Sequence, residues 1–158
     1  MVRRRAAIGF MTDFVFVDTD VLIYARDLKA VAKRKVARAW LYELTARSAA
    51  RINLQVMNQL TRWLLAQAPG RPLAQVRSEV DALRSWGTRA IDAEEVDKAW
   101  DARSSLGYSW YDCLLVAAAD RLGCRFFLTE DMTDGARFGR LTLVSPFQRP
   151  PAELLART

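Results

Sequence analysis

A chain of 158 residues has the length of one domain, and a hydrophobic content of 51% with 16 aromatic residues supplies enough apolar surface for a core, which excludes wholesale disorder. There is no histidine, so Ser-His-Asp and Cys-His nucleophilic systems, histidine acid–base catalysis and His-ligated zinc are excluded. Any chemistry falls to carboxylates, hydroxyls, amides, Lys, Arg or two thiols. Lys and Arg outnumber Asp and Glu by 24 to 18, a net charge of +6, and the longest apolar run, 113–119, is far shorter than the ~18 residues of a membrane span.

Arg3-Arg4-Arg5 and a short apolar stretch begin like a signal peptide, but Asp13 interrupts the segment and no small-residue cleavage site follows. Residues 1–12 therefore read as a basic extension, with Met11 as an alternative natural start. Residues 13–148 read as one domain and 149–158 as a tail. Phe14-Val15-Phe16-Val17 predicts a strand buried on both faces, ending at Asp18-Thr19-Asp20, where a helix opens. Ala32, Val36, Trp40 and Leu44 form an i, i+4 stripe over 30–48, with Lys29, Lys33, Arg34, Lys35 and Arg38 on the other faces. A short strand is expected at 52–54. An amphipathic helix follows through Val56, Met57, Leu60, Trp63 and Leu64, stopped by Pro69-Gly70.

Leu73, Val76, Val80 and Leu83 mark a helix over 72–85, and a short strand is expected at 88–91. Helices are predicted over 93–105 and 110–122, each stopped by a glycine, and strands at 126–128 and 141–144. The prolines of the tail predict irregular structure with at most a terminal turn. Alternating strands and helices give an α/β fold with a central, mainly parallel sheet of four or five strands flanked by helices. Cys113 and Cys124 have no metal or disulfide spacing, so a reducing cytoplasm is the expected compartment.

Of the 24 cations 20 are Arg, a bias with two readings: an RNA or acidic-protein partner, or arginine-rich codon usage. Residues 1–80 carry a net +8 and 81–158 a net −2. A fold that gathers the acids into a pocket rimmed by the basic half would draw in a polyanion and a metal ion together. The basic helix around 29–38 is by default a solvated face, and an RNA or partner contact is the sharper reading.

Asp18 directly follows the first strand, Asp131 follows the strand at 126–128, and Asp112 lies in the first turn of the helix from 110. Sites in parallel α/β sheets form beyond the carboxyl ends of strands and at helix starts, so the three can converge. Clustered carboxylates repel unless a cation lies between them, and with no His and no paired Cys the fitting ion is Mg²⁺ or Mn²⁺. Singly, each of these acids reads more readily as a cap or turn residue than as a catalytic one, and only their combination favours a site.

In these blocks the sequence resembles the PIN-domain family, in particular the VapC-type toxins of toxin–antitoxin systems. They are Phe14-Val-Phe-Val-Asp-Thr-Asp-Val-Leu-Ile-Tyr-Ala25, Ile52-Asn-Leu-Gln-Val-Met-Asn-Gln-Leu60, Trp110-Tyr-Asp-Cys-Leu-Leu-Val-Ala-Ala-Ala119 and Phe127-Leu-Thr-Glu-Asp-Met132, closed by Pro146-Phe147. The resemblance implies a single PIN-like domain and a Mg²⁺- or Mn²⁺-dependent endoribonuclease leaving a 5′-phosphate and a 3′-hydroxyl. It also implies a homodimer, neutralised by a cognate antitoxin protein.

By the same resemblance Asp18, Gln59, Asp112 and Asp131 stand at the four catalytic positions, the three aspartates as metal ligands. Relatives usually carry Glu where this chain has Gln59, which implies weakened or lost activity unless Asp20, where relatives often have Asn, restores the charge. Thr19 and Thr129 flank the acids, either orienting them or serving as plain strand-end residues. Glu130 and Asp134 are either a supporting ring or ordinary loop acids. Two alternatives accompany this reading. One is a catalytically degenerate PIN domain that binds RNA or a partner. The other is a haloacid-dehalogenase-like phosphatase using Asp18 and Asp20, for which the four lysines are poorly placed.

Overall fold

The computed structural model describes residues 13–67 and 69–155; the basic extension and its alternative start at Met11 lie outside them. Strand β1 (Val15–Val17) is wholly buried and pairs in parallel with β3 (Phe126–Leu128), Phe16 opposite Phe127 with their rings stacked at 5.2 Å. β1 pairs on its other side with β2 (Ala50–Arg51), and β3 pairs with β5 (Leu141–Val144), both in parallel. The two-residue β4 (Arg137–Phe138) closes the edge antiparallel to β5, giving the order β2-β1-β3-β5-β4. The two central parallel strands, β1 and β3, are apolar throughout and fully buried, as strands covered on both faces are.

Helix α1 (Thr19–Tyr24) leaves the end of β1 with Asp18 as its N-cap, and α2 (Val31–Ala46) carries the chain across to β2. Val36, Ala37, Trp40 and Leu44 form the inward face of α2, while Ala32, expected on that stripe, is exposed. α3 (Leu54–Gln67) packs on α1 and on α4 (Leu73–Asp81). α5 (Ala93–Leu106) lies along α6 (Trp110–Arg121), burying Ala99 and Ala102 at the contact. α6 shows an unbroken apolar run because residues 113–119 are all buried. The tail ends in a short helix, α7 (Pro151–Leu154), against α2, where the Trp40 indole donates to the carbonyls of Pro146 at 3.2 Å and Arg149 at 3.0 Å.

The structure corrects three local expectations. The second strand lies at Ala50–Arg51 rather than 52–54, because the Asn53 side chain accepts from Val56 N and starts α3. Residues 88–91 form no strand. Ile52 N and Leu54 N, two residues apart, donate to Trp86 O and Arg89 O, three residues apart, so the regular ladder breaks after two bonds. The segment is thus held against residues 52–54, just past the end of β2. The helix expected over 72–85 stops at Asp81, and a 3-10 turn (Arg84–Trp86) leads into Gly87 at φ 137°, pressed against the carbonyl of Ile52.

Candidate functional site

From β1 the chain crosses to β2 on one side, while β3 lies on the other. The gap beyond the carboxyl ends of β1 and β3 is therefore where crossovers diverge and a crevice opens. Backbone bonds hold those ends level, with Asp18 N on Leu128 O at 3.0 Å and Thr129 N on Val144 O at 2.9 Å. Asp18 and the 129–131 segment leave adjacent strands at one height.

One carboxylate oxygen from each of Asp18, Asp20 and Asp131 lies within 4.8 Å of the other two. A single hydroxyl ties the three together. Thr129 Oγ1 donates to Asp18 Oδ2 at 2.7 Å, lies 3.5 Å from Asp20 Oδ2, and accepts from Asp131 N at 3.2 Å. Asp18 Oδ1 accepts from Thr19 N at 2.7 Å, and Asp20 Oδ2 from Glu130 N at 2.9 Å. Asp20 Oδ1 is buried and has no hydrogen-bond partner among the described residues.

Burial pushes the Asp18 carboxyl well above the usual carboxylate range. The charges of Asp20 and Asp112 push the same way, against the hydrogen bonds from Thr129 and Thr19. Burial likewise raises Asp20 to about 6, with help from the charges of Asp131 and Glu130. Asp112, half-buried in the first turn of α6, stands outside the tight trio. Its carboxyl is raised by burial and by the charge of Asp131, against a hydrogen bond with Ser109. Gln59 reaches the site through Thr19, whose Oγ1 donates to Gln59 Oε1 at 2.5 Å.

Thr129 is fully buried, and its hydroxyl is shared among the acids. Glu130 turns to Lys33 of α2, with which it forms a short ion pair. Burial alone would raise the Glu130 carboxyl, but hydrogen bonds from Lys33 and Tyr24 hold it below its ordinary value. Asp134 points away from the trio, accepting from Ser145 N at 2.9 Å and Arg149 Nε at 3.1 Å. Nothing local in the sequence marks the Lys33–Tyr24–Glu130 group, which spans 97 positions between Lys33 and Glu130. Tyr108, whose hydroxyl accepts from Thr133 N at 2.9 Å, is equally silent.

The arrangement suits a hard divalent cation. It offers oxygen donors only, converging from three carboxylates, one of them with a buried oxygen that no donor among the described residues satisfies. The carboxyls of Asp18 and Asp20 are raised chiefly by burial and further by the charges of neighbouring carboxylates, and a bound cation would favour the ionised forms against both.

Residues 15–134 match the family model described as PIN domain. No curated protein matches the chain. Among solved structures, a toxin–antitoxin complex from Klebsiella pneumoniae superposes with a TM-score of 0.57 at 18% identity, covering 84% of this chain and 97% of that one. VapBC2 from Rickettsia felis, bound to a DNA fragment from its promoter, gives 0.58 at 16% identity, covering 84% and 98%. The Mycobacterium tuberculosis toxin VapC20, which cleaves the sarcin–ricin loop, gives 0.54 at 16% identity, covering 77% and 90%.

Proposed function

The chain belongs to the PIN-domain family, and from that footing we propose that it is a divalent-metal-dependent endoribonuclease of the toxin–antitoxin kind, with RNA as substrate and a cognate antitoxin as inhibitor. The observation that carries the reading is the trio of Asp18, Asp20 and Asp131 with its unsatisfied buried oxygen. A cytoplasmic homodimer completes the proposal. Among the described residues no helix is long and apolar enough to cross a membrane.

Asp18, Asp20 and Asp131 would hold the ion, which differs from the sequence expectation by giving Asp20 a place beside Asp18 and leaving Asp112 at the rim. When bound, Mg²⁺ or Mn²⁺ supplies Lewis acidity toward a phosphodiester and neutralises developing charge. Thr129 fixes the carboxylates, holding Asp18 Oδ2 and the Asp131 backbone at once. Asp112, with its raised carboxyl on the rim, is the candidate to accept the proton of the attacking water. Gln59 supplies an amide where an acid is expected, so the site has one charge fewer to share with the ion, and Asp20 offsets part of that loss.

The test is cleavage of total RNA with and without Mg²⁺ by this chain, Gln59→Glu and Asp18→Asn, with cut sites mapped. Gln59→Glu is expected to raise Mg²⁺-dependent cleavage at least about tenfold, and Asp18→Asn to abolish it. Cleavage that survives Asp18→Asn would overturn the reading. If RNA is bound but never cut, even by Gln59→Glu with Mn²⁺, the chain is the degenerate binding module that Gln59 also favours. Against the phosphatase reading, Lys33, the lysine beside the site, is already committed to Glu130, and Lys98 to Asp120.

A further inference from the structure

At the far end of α1 and α3 from the acidic trio lies a cleft of about 360 Å³ whose walls include Arg26, Arg34, Arg38, Arg71, Glu79 and Trp63. Glu79 bridges Arg26 and Arg71, both at 2.7 Å, and those two guanidiniums hold its carboxyl below the ordinary value although burial works against them. Four guanidiniums against one ionised carboxylate leave a surplus of three positive charges. Arg34 and Arg38, one turn apart on α2, have no ion-pair or hydrogen-bond partner among the described residues. The cleft is thus a built concentration of the cation that grips phosphate bidentately, and half of it is uncommitted.

Two elements join this cleft to the trio. The start of α1 carries Asp18, Thr19 and Asp20, while Ala25 and Arg26, just beyond its end, line the cleft. On α3, Gln59 is bonded to Thr19, and Trp63 and Gln67, at i+4 and i+8 on the same face, line the cleft. Eight residues of helix span about 12 Å, more than one nucleotide step. Trp63 is half-buried in the wall, where an indole offers a face for stacking a base.

We infer that the arginine cleft is a second subsite for single-stranded RNA, holding the phosphate backbone beyond the scissile bond and stacking a base on Trp63. It deepens the nuclease reading and rests on it. An acidic peptide shares the carboxylate side of arginine chemistry, but it has no use for the stacking surface or for the continuous face that leads to the trio.

The test is fluorescence anisotropy of a labelled oligouridine dodecamer in EDTA, where no ion is present to support cleavage, titrated with the full chain and with R34Q/R38Q and R34K/R38K across a salt series. R34Q/R38Q is expected to lose about tenfold in affinity and to flatten the salt slope by about 1.4, the loss of two phosphate contacts, while R34K/R38K keeps the slope. If R34Q/R38Q binds like the parent with the same slope, the subsite is overturned, and the nuclease reading still stands or falls on Asp18→Asn. A parent chain that does not bind the oligomer overturns the subsite as well. A labelled polyglutamate peptide is titrated in parallel: loss of that binding alone in R34Q/R38Q assigns the cleft to an acidic protein and overturns the RNA assignment.

Discussion

A single threonine hydroxyl organises the acidic site. Thr129 is buried, and its Oγ1 holds Asp18 and the backbone of Asp131 while lying near Asp20. Thr129→Val keeps the shape and deletes the hydroxyl, leaving Asp18 Oδ2 and Asp131 N without that partner. The expected result is a stability loss of about 1–3 kcal/mol, with Mn²⁺ affinity reduced roughly tenfold to a hundredfold, measured by denaturant melts and calorimetric titration. Thr129→Ser should retain most of both, and a Thr129→Val protein with parental Mn²⁺ affinity would contradict the hydroxyl's role. The positions of Asp18 and Asp131 were legible because strand ends announce themselves in an α/β pattern. Asp20 read as a neighbour of the site, since a carboxylate three residues past a strand is as often a helix-start residue, and the approach of Glu130 N and Thr129 Oγ1 shows that it turns inward. Lys33 was illegible because its partner lies 97 positions away.

At the level of elements, the strands that could be read were the ones whose composition carries the signal. Residues 126–128 and 141–144 are apolar or β-favouring and lie where expected. β2 is Ala-Arg, two residues of low β propensity, and the neighbouring Ile52 drew the expectation downstream. β4 is a charged two-residue edge, too short for any period to show. The turn at Gly87 is where an element boundary depends on one backbone conformation. With φ at 137° and the Ile52 carbonyl oxygen where a Cβ would project, Gly87→Ala forces both strain and collision. It is expected to cost about 1–3 kcal/mol and lower Tm by several degrees, whereas Gly70→Ala, at a position open on all sides, leaves Tm nearly unchanged. Equal thermal melts for the two would show that the 86–89 segment can move off residues 52–54 freely.

Over the whole molecule, the trio makes stability depend on pH in an unusual direction. Asp18 and Asp20 keep their protons to higher pH in the folded protein than in the unfolded chain, Asp20 to about 6 against 3.8. Between those values the folded state binds more protons, so stability falls as pH rises through the window. Glu130, Glu79 and Asp92 are shifted downward, and their contribution is lost only at more acid pH, as it falls through their folded values. The metal-free protein is therefore expected to melt at a higher temperature at pH 5 than at pH 7, with Asp20→Asn weakening the difference and excess Mg²⁺ flattening it by stabilising the neutral-pH form. A metal-free Tm that falls from pH 7 to pH 5 would contradict the upward shift of the buried trio carboxyls. One margin of the sheet is the two-residue β2, beyond which Ile52 and Leu54 are bonded to the 86–89 segment, and the other is the two-residue β4 with an exposed arginine. Among the described residues neither border offers a strand longer than two residues, a template too short to favour fibre-like growth.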